Sequence, residues 1–130
     1  MKQILVVDDE PHILEGLRHL LKSPDRAIIG VGSARDALAR IALQMPDLLI
    51  TDVMMPEMSG LEIVAALRAD EATCRLPVII LTAKGQALDA AMAQEVWGAT
   101  VMAKPFQPRK LRELVQLTLS PTTCSQPSST

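Results

Sequence analysis

The chain has 130 residues, a mass of 14.1 kDa and a formal net charge of −2, which suits one domain. Its 48% apolar and 22% charged residues are typical of a globular protein and exclude a wholly disordered chain. No apolar run approaches the ~20 residues of a membrane span, and no basic excess favours a direct nucleic-acid partner. Two cysteines and no signal-peptide pattern lead us to expect a reduced, cytoplasmic protein.

Five short apolar runs have the length and the composition of β-strands. They are Ile4–Val7, Ala27–Val31, Leu48–Ile50, Val78–Leu81 and Val101–Ala103. Four or five residues is strand length, and β-branched residues are frequent in the first, second and fourth runs. Because the runs are apolar on both faces, they are typical of strands buried on both sides in a parallel sheet.

Apolar stripes at helical spacing lie between and after these runs. They fall on Ile13–Leu21, Ala34–Met45, Ile63–Leu67, about 86–96 and Leu111–Thr118, with Pro108 well placed in the first turn of the last. Strand and helix therefore alternate five times. This pattern predicts an α/β fold in which a doubly wound, five-stranded parallel sheet is flanked by five helices.

The last residues have a different composition. Residues 120–130 contain no charge, two prolines and seven Ser or Thr residues, and no apolar periodicity. We therefore predict one domain over residues 1–119, followed by a disordered tail or the stump of a linker over 120–130.

Polar side chains follow four of the predicted strands. Asp8 and Asp9 follow the first, Asp52 the third, Thr82 the fourth and Lys104 the fifth. The carboxyl ends of parallel strands meet at one edge of the sheet, where such folds bind ligands. The sequence thus predicts an edge with carboxylates, a hydroxyl and an ammonium group close together.

Clustered carboxylates favour a divalent cation, and oxygen ligands favour Mg²⁺. A carboxylate beside Mg²⁺ can attack phosphorus and form an aspartyl phosphate. Each residue alone also has a structural explanation. Asp9 could be an N-cap before Pro11, and Asp52 could be a turn residue. Thr82 could cap a helix, and Lys104 could be a solvated surface charge. The joint occurrence of the right groups at four strand ends favours the functional interpretation.

These residues also carry a resemblance to a known family. The segments Ile4–Glu10, Asp52–Gly60, Leu81–Ala83 and Lys104–Phe106 occur in the order found in receiver domains of bacterial response regulators. The chain resembles such a receiver domain from residue 2 to about residue 118. The resemblance implies a flavodoxin-like sheet with strand order 2-1-3-4-5.

The resemblance also implies residue roles. Asp52 would be the phosphoacceptor, Thr82 the switch hydroxyl and Lys104 the phosphate-binding lysine. The donor would be a phosphohistidine on a sensor histidine kinase or a phosphotransfer protein. Phosphorylation would change a surface that contacts an output partner, and the phosphorylated domains could form a dimer. Such a domain catalyses only its own phosphorylation and slow dephosphorylation.

A Mg²⁺ ion is the implied cofactor. Asp9 and Asp52 would bind it directly, Asp8 would hold a metal-bound water, and the backbone carbonyl of Met54 would be a further ligand. The sequence departs from the family at Val101, where an aromatic residue is usual. The acidic residues that usually follow the Gly-Ala pair near this position are also missing. These departures concern the coupling to an output and leave the phosphorylation chemistry intact.

Three other classes of protein share some of these features. A flavodoxin would need a phosphate-cradling first loop, whereas Asp8, Asp9 and Glu10 present negative charge there. A haloacid-dehalogenase-type phosphatase, with an Asp nucleophile and Mg²⁺, would need an acid two residues after Asp52, and Met54 occupies that place. The receiver could also be one module of a hybrid kinase or a DNA-binding regulator.

Overall fold

A computed structural model describes residues 2–52, 60–82, 100–103 and 107–119. The strands are β1 (Lys2–Val7), β2 (Arg26–Val31), β3 (Leu48–Asp52), β4 (Val78–Thr82) and β5 (Thr100–Ala103). The helices are α1 (Pro11–Leu21), α2 (Ala34–Leu43), α3 (Gly60–Arg68) and α4 (Pro108–Leu119). Within the described ranges, each helix is too short or too polar to cross a membrane.

The five strands form one parallel sheet in the order β2-β1-β3-β4-β5. The register pairs Val7 of β1 with Thr51 of β3, and Asp52 of β3 with Leu81 of β4. The chain order reverses beside β1, which places the ends of β1 and β3 next to each other. In open α/β sheets this switch point is where ligands bind. The predicted strand order is thereby confirmed.

Two apolar cores cover the two faces of the sheet. Alternate side chains of the central strands point to opposite faces, so Leu5, Leu49 and Ile80 pack with α2 and α3, whereas Val6, Ile50 and Leu81 pack with α1 and α4. All six are buried. This packing on both sides explains why the central runs are apolar throughout.

The helix boundaries follow from local chemistry. Ser33 caps α2, since its side-chain oxygen accepts from the Asp36 N–H at 3.1 Å. Pro11 and Pro108 are the first residues of α1 and α4, where a missing N–H costs nothing. At the end of α3, Arg68 donates to the Leu76 carbonyl at 2.8 Å, and burial lowers the pKa of this guanidinium.

Some predicted details differ in the structure. The second helix ends at Leu43 rather than continuing to Met45, because Gln44 is extended. The second strand is half-buried along its length, because it is an edge strand. The predicted helix over about 86–96 and the predicted tail at 120–130 lie outside the described residues.

Candidate functional site

The end of β1 holds Asp8 in a defined position. The Asp8 N–H donates to the Val31 carbonyl of β2 at 3.2 Å, which continues the pairing of these two strands. The Asp8 carboxylate accepts from the Glu10 N–H at 3.0 Å, a short-range bond typical of an Asx turn. Asp8 is only 2% exposed. A buried carboxylate therefore sits at the switch point of the sheet.

Asp9 is not the cap of α1. The N-cap is Glu10, whose side chain makes no capping hydrogen bond, and Pro11 follows it. The alternative prediction that Asp9 is the N-cap of this helix is therefore wrong. Asp9 is exposed between the buried Asp8 and the first turn of α1, so its carboxylate is available for another role.

Asp52 is the last residue of β3, and its neighbour Thr51 fixes its backbone. Thr51 is fully buried, and its hydroxyl donates to the Asp52 carbonyl at 3.0 Å. Asp52 itself is partly exposed. The side chain of Thr51 is therefore buried within the sheet, whereas that of Asp52, the last residue of the strand, is partly exposed at the edge of the sheet.

Three carboxylates converge at this edge. Asp8, Asp9 and Asp52 each offer an oxygen, and these oxygens all lie within 4.8 Å of one another. One of the three residues is buried, one is partly exposed and one is exposed, so the cluster opens to solvent on one side. An all-oxygen donor set that leaves room for water suits Mg²⁺, which keeps several waters when bound by carboxylates. The residues present therefore fit this ion.

The other predicted site residues are described in part or not at all. Thr82 ends β4 and pairs in register with Ala103 of β5. Lys104 and Met54 lie outside the described residues, so their predicted roles stay predictions. Val101 is half-buried on β5 and packs against the core shared with α2 and α3.

The sequence did not predict that Thr51 makes a hydrogen bond to the backbone of Asp52. Its hydroxyl contacts the backbone of the next residue, and no motif indicated that contact. The signal available was a Thr within an otherwise apolar strand, directly before Asp52. A buried hydroxyl requires a hydrogen-bond partner, and here the acceptor is the backbone carbonyl of the candidate phosphoacceptor.

Comparisons with known proteins agree with this geometry. The family model of the response regulator receiver domain matches residues 4–116. The alkaline phosphatase synthesis transcriptional regulatory protein PhoP of Bacillus subtilis is 34% identical over 128 residues, covering 98% of this chain and 52% of the relative. The DNA-binding response regulator MtrA of Mycolicibacterium smegmatis is 38% identical over 112 residues, covering 85% of this chain and 47% of the relative.

Solved structures show the same likeness. A response regulator receiver domain protein from Clostridium thermocellum superposes with a TM-score of 0.86 at 26% identity, covering 97% of this chain and 100% of the other. The signal receiver domain of a histidine kinase from Syntrophus aciditrophicus gives 0.84 at 30% identity, covering 100% and 97%.

The fold, the carboxylate cluster and these matches define a signalling domain of two-component systems. The chain belongs to the response regulator receiver domain family. It spans about half the length of the curated relatives it matches.

Proposed function

We propose that this domain accepts a phosphoryl group on Asp52 and thereby switches a surface for an output partner. The observation that supports the proposal most directly is the convergence of Asp8, Asp9 and Asp52 at the carboxyl edge of the sheet. Asp52 suits the nucleophile because it ends the central strand β3 and is partly exposed. Asp8 is buried and already accepts a backbone hydrogen bond, which suits a supporting role.

The proposed donor is a phosphohistidine on a sensor histidine kinase or a phosphotransfer protein. One oxygen of the Asp52 carboxylate attacks the phosphorus and forms a new O–P bond. The N–P bond of the phosphohistidine breaks, and the imidazole keeps its electron pair and takes up a proton. Hydrolysis of the resulting acyl phosphate returns Asp52 to its free form. The domain therefore turns over only its own phosphoryl group.

Mg²⁺ is the proposed cofactor, and Asp8, Asp9 and Asp52 would hold it, with the Met54 carbonyl as a further ligand. When bound, the ion neutralises charge on the phosphoryl oxygens. Thr82 and Lys104 are proposed as the switch hydroxyl and the phosphate-binding lysine, because each follows or ends a strand at this same edge. We propose that the reaction takes place in the cytoplasm, because ATP, which phosphorylates the histidine of the donor protein, is available there.

The partner of the switched surface is a further part of the proposal. The relatives named above as DNA-binding or transcriptional regulators are about twice as long as this chain. We propose that the domain works either alone or as the receiver module of a longer regulator, without binding nucleic acid itself. Its formal net charge of −2 supports the last point.

The experiment is phosphorylation by acetyl phosphate with Mg²⁺, followed by intact-mass spectrometry. Wild type should gain one phosphoryl group, and Asp52→Asn should gain none. Asp36→Asn is a matched control, because Asp36 is an exposed aspartate in the first turn of α2, and it should be labelled like wild type. Robust labelling of Asp52→Asn would overturn the proposal. Multiple turnover of a general phosphate ester would instead indicate a phosphatase.

A further inference from the structure

Thr51 is a polar residue at a buried position of the sheet. It lies on β3 between Val7 of β1 and Ile80 of β4 in the register, and it is fully buried. Among the described residues, the buried polar side chains are those of Asp8, Thr51 and Thr73. Two of these three are therefore at or beside the carboxylate cluster.

Packing alone does not require the Thr51 hydroxyl. Alternation places Thr51 on the same face as Leu49, which packs in the core shared with α2 and α3. A valine has nearly the same shape, is β-branched as well, and needs no hydrogen-bond partner in an apolar core. The hydroxyl is instead satisfied by the Asp52 carbonyl, to which it donates at 3.0 Å.

This hydrogen bond acts on the backbone of the candidate phosphoacceptor. A carbonyl oxygen moves when the chain rotates about the Cα–C bond, so holding the Asp52 carbonyl restricts the ψ angle of Asp52. That angle also sets the direction in which the chain leaves β3 towards residue 53. The Asp52 carboxylate is attached to the same Cα as this restricted bond, and one of its oxygens lies within 4.8 Å of an oxygen of Asp8 and of an oxygen of Asp9.

We propose that Thr51 is a positioning residue for the carboxylate cluster, acting through its hydrogen bond to the Asp52 carbonyl. The inference rests on the proposed function, because it assumes that the cluster binds Mg²⁺. Thr51 itself contacts neither the ion nor the phosphoryl group. Residues that hydrogen-bond to a metal ligand and fix its orientation commonly lower the metal affinity when they are replaced.

The test compares Mg²⁺ affinity in wild type, Thr51→Val, Thr51→Ser and Thr73→Val. Titration of the amide NMR signals of residues 7–10 with MgCl₂ gives the Kd of each variant. Thr51→Val should weaken binding on the order of tenfold, a size typical for a lost supporting hydrogen bond. Thr51→Ser keeps the hydroxyl and should bind nearly as well as wild type.

Thr73→Val is the matched control. Thr73 is also buried, and its hydroxyl donates to the Leu67 carbonyl at 2.7 Å, between α3 and β4 and outside the cluster. This variant should lose stability without losing Mg²⁺ affinity, which separates positioning from a general effect on folding. Melting curves of each variant confirm that it is folded at the titration temperature.

Each result decides a separate point. A wild-type Kd for Thr51→Val, or equal weakening in Thr51→Ser and Thr51→Val, would overturn the inference while leaving the proposed function intact. An absence of Mg²⁺ binding by the wild-type protein would overturn the proposed function, and the inference with it.

Discussion

Removing one charge from the carboxylate cluster should stabilise the metal-free protein. Asp9→Asn keeps the size and shape of the side chain but removes its repulsion with Asp8 and Asp52, whose oxygens lie within 4.8 Å. The same change removes a proposed Mg²⁺ ligand. The variant should therefore melt at a higher temperature without Mg²⁺ and respond little to its addition.

The separation of the carboxylate oxygens determines how much Asp9→Asn raises the free energy of unfolding. At 4.8 Å, the upper limit of the oxygen separations in the cluster, two unit charges repel by about 3.5 kcal/mol at an effective dielectric constant of ~20, and by about 0.9 kcal/mol at that of water. Because Asp9 is exposed, solvent screening puts each interaction near the lower figure. With two neighbours, we expect the free energy of unfolding to rise by about 1–2 kcal/mol. For a domain of this length, that corresponds to about 4–8 °C in Tm.

The stabilisation of the wild-type protein by Mg²⁺ follows from its binding affinity and does not depend on the repulsion between the carboxylates. An ion that binds only the folded state at a concentration tenfold above its Kd adds about 1.4 kcal/mol to the stability. Wild type should therefore gain about 5–6 °C in Tm. Asp9→Asn should lose most of this gain, because the ion would lose a charged ligand.

Differential scanning fluorimetry with and without MgCl₂ measures both effects. Glu71→Gln is the matched control, since Glu71 is an exposed acid in the turn before β4 and does not belong to the cluster. It should keep the wild-type response to Mg²⁺. A wild-type Tm that ignores Mg²⁺, or a metal-free Asp9→Asn that melts below wild type, would refute the electrostatic reasoning.

Three further changes test the local structure. Gly16→Ala should raise the free energy of unfolding by about 0.5–1 kcal/mol in urea denaturation, because Gly16 lies within α1 and an added Cβ meets no atom within 4 Å. No gain would contradict the open environment of this position. Ser33→Ala should cost about 1 kcal/mol in the same assay, because it removes the cap of α2, and Ser33→Asp should restore most of it. Asp25→Asn should flatten the acid side of the stability profile. The Ser23 hydroxyl donates to this carboxylate and holds its pKa below the usual 3.8, so the stabilisation is present above that pH and is lost as pH falls through the folded pKa. An unchanged acid limb would show that this bond does not persist in solution.

The sheet and the carboxylate cluster were predictable from the sequence for a physical reason. Central strands of a parallel sheet are buried on both faces, so they appear as apolar runs that end abruptly in polar residues. The positions of Asp8, Asp9 and Asp52 directly after such runs therefore predict that they lie at one edge of the sheet. The resemblance to receiver domains supplied the strand order, which composition and periodicity do not determine.

Other features depended on three-dimensional context. The apolar stripe of α2 continues to Met45, but the backbone leaves the helix at Gln44, and a side-chain pattern does not report such a change. The partial exposure of β2 follows from its place at the edge of the sheet. The hydrogen bond from Thr51 to Asp52 requires knowledge of a side-chain rotamer and of a backbone angle. Such details depend on packing rather than on residue type.

The central claim is that Asp52 carries the phosphoryl group, and chemical localisation tests it most directly. After phosphorylation with acetyl phosphate and Mg²⁺, borohydride reduces an aspartyl phosphate to homoserine, and trypsin then yields peptides 41–68 and 3–18. Peptide sequencing by tandem mass spectrometry should find homoserine at position 52 in the first peptide and an unmodified second peptide. Homoserine at position 8, 9 or 47, with position 52 unchanged, would contradict the account.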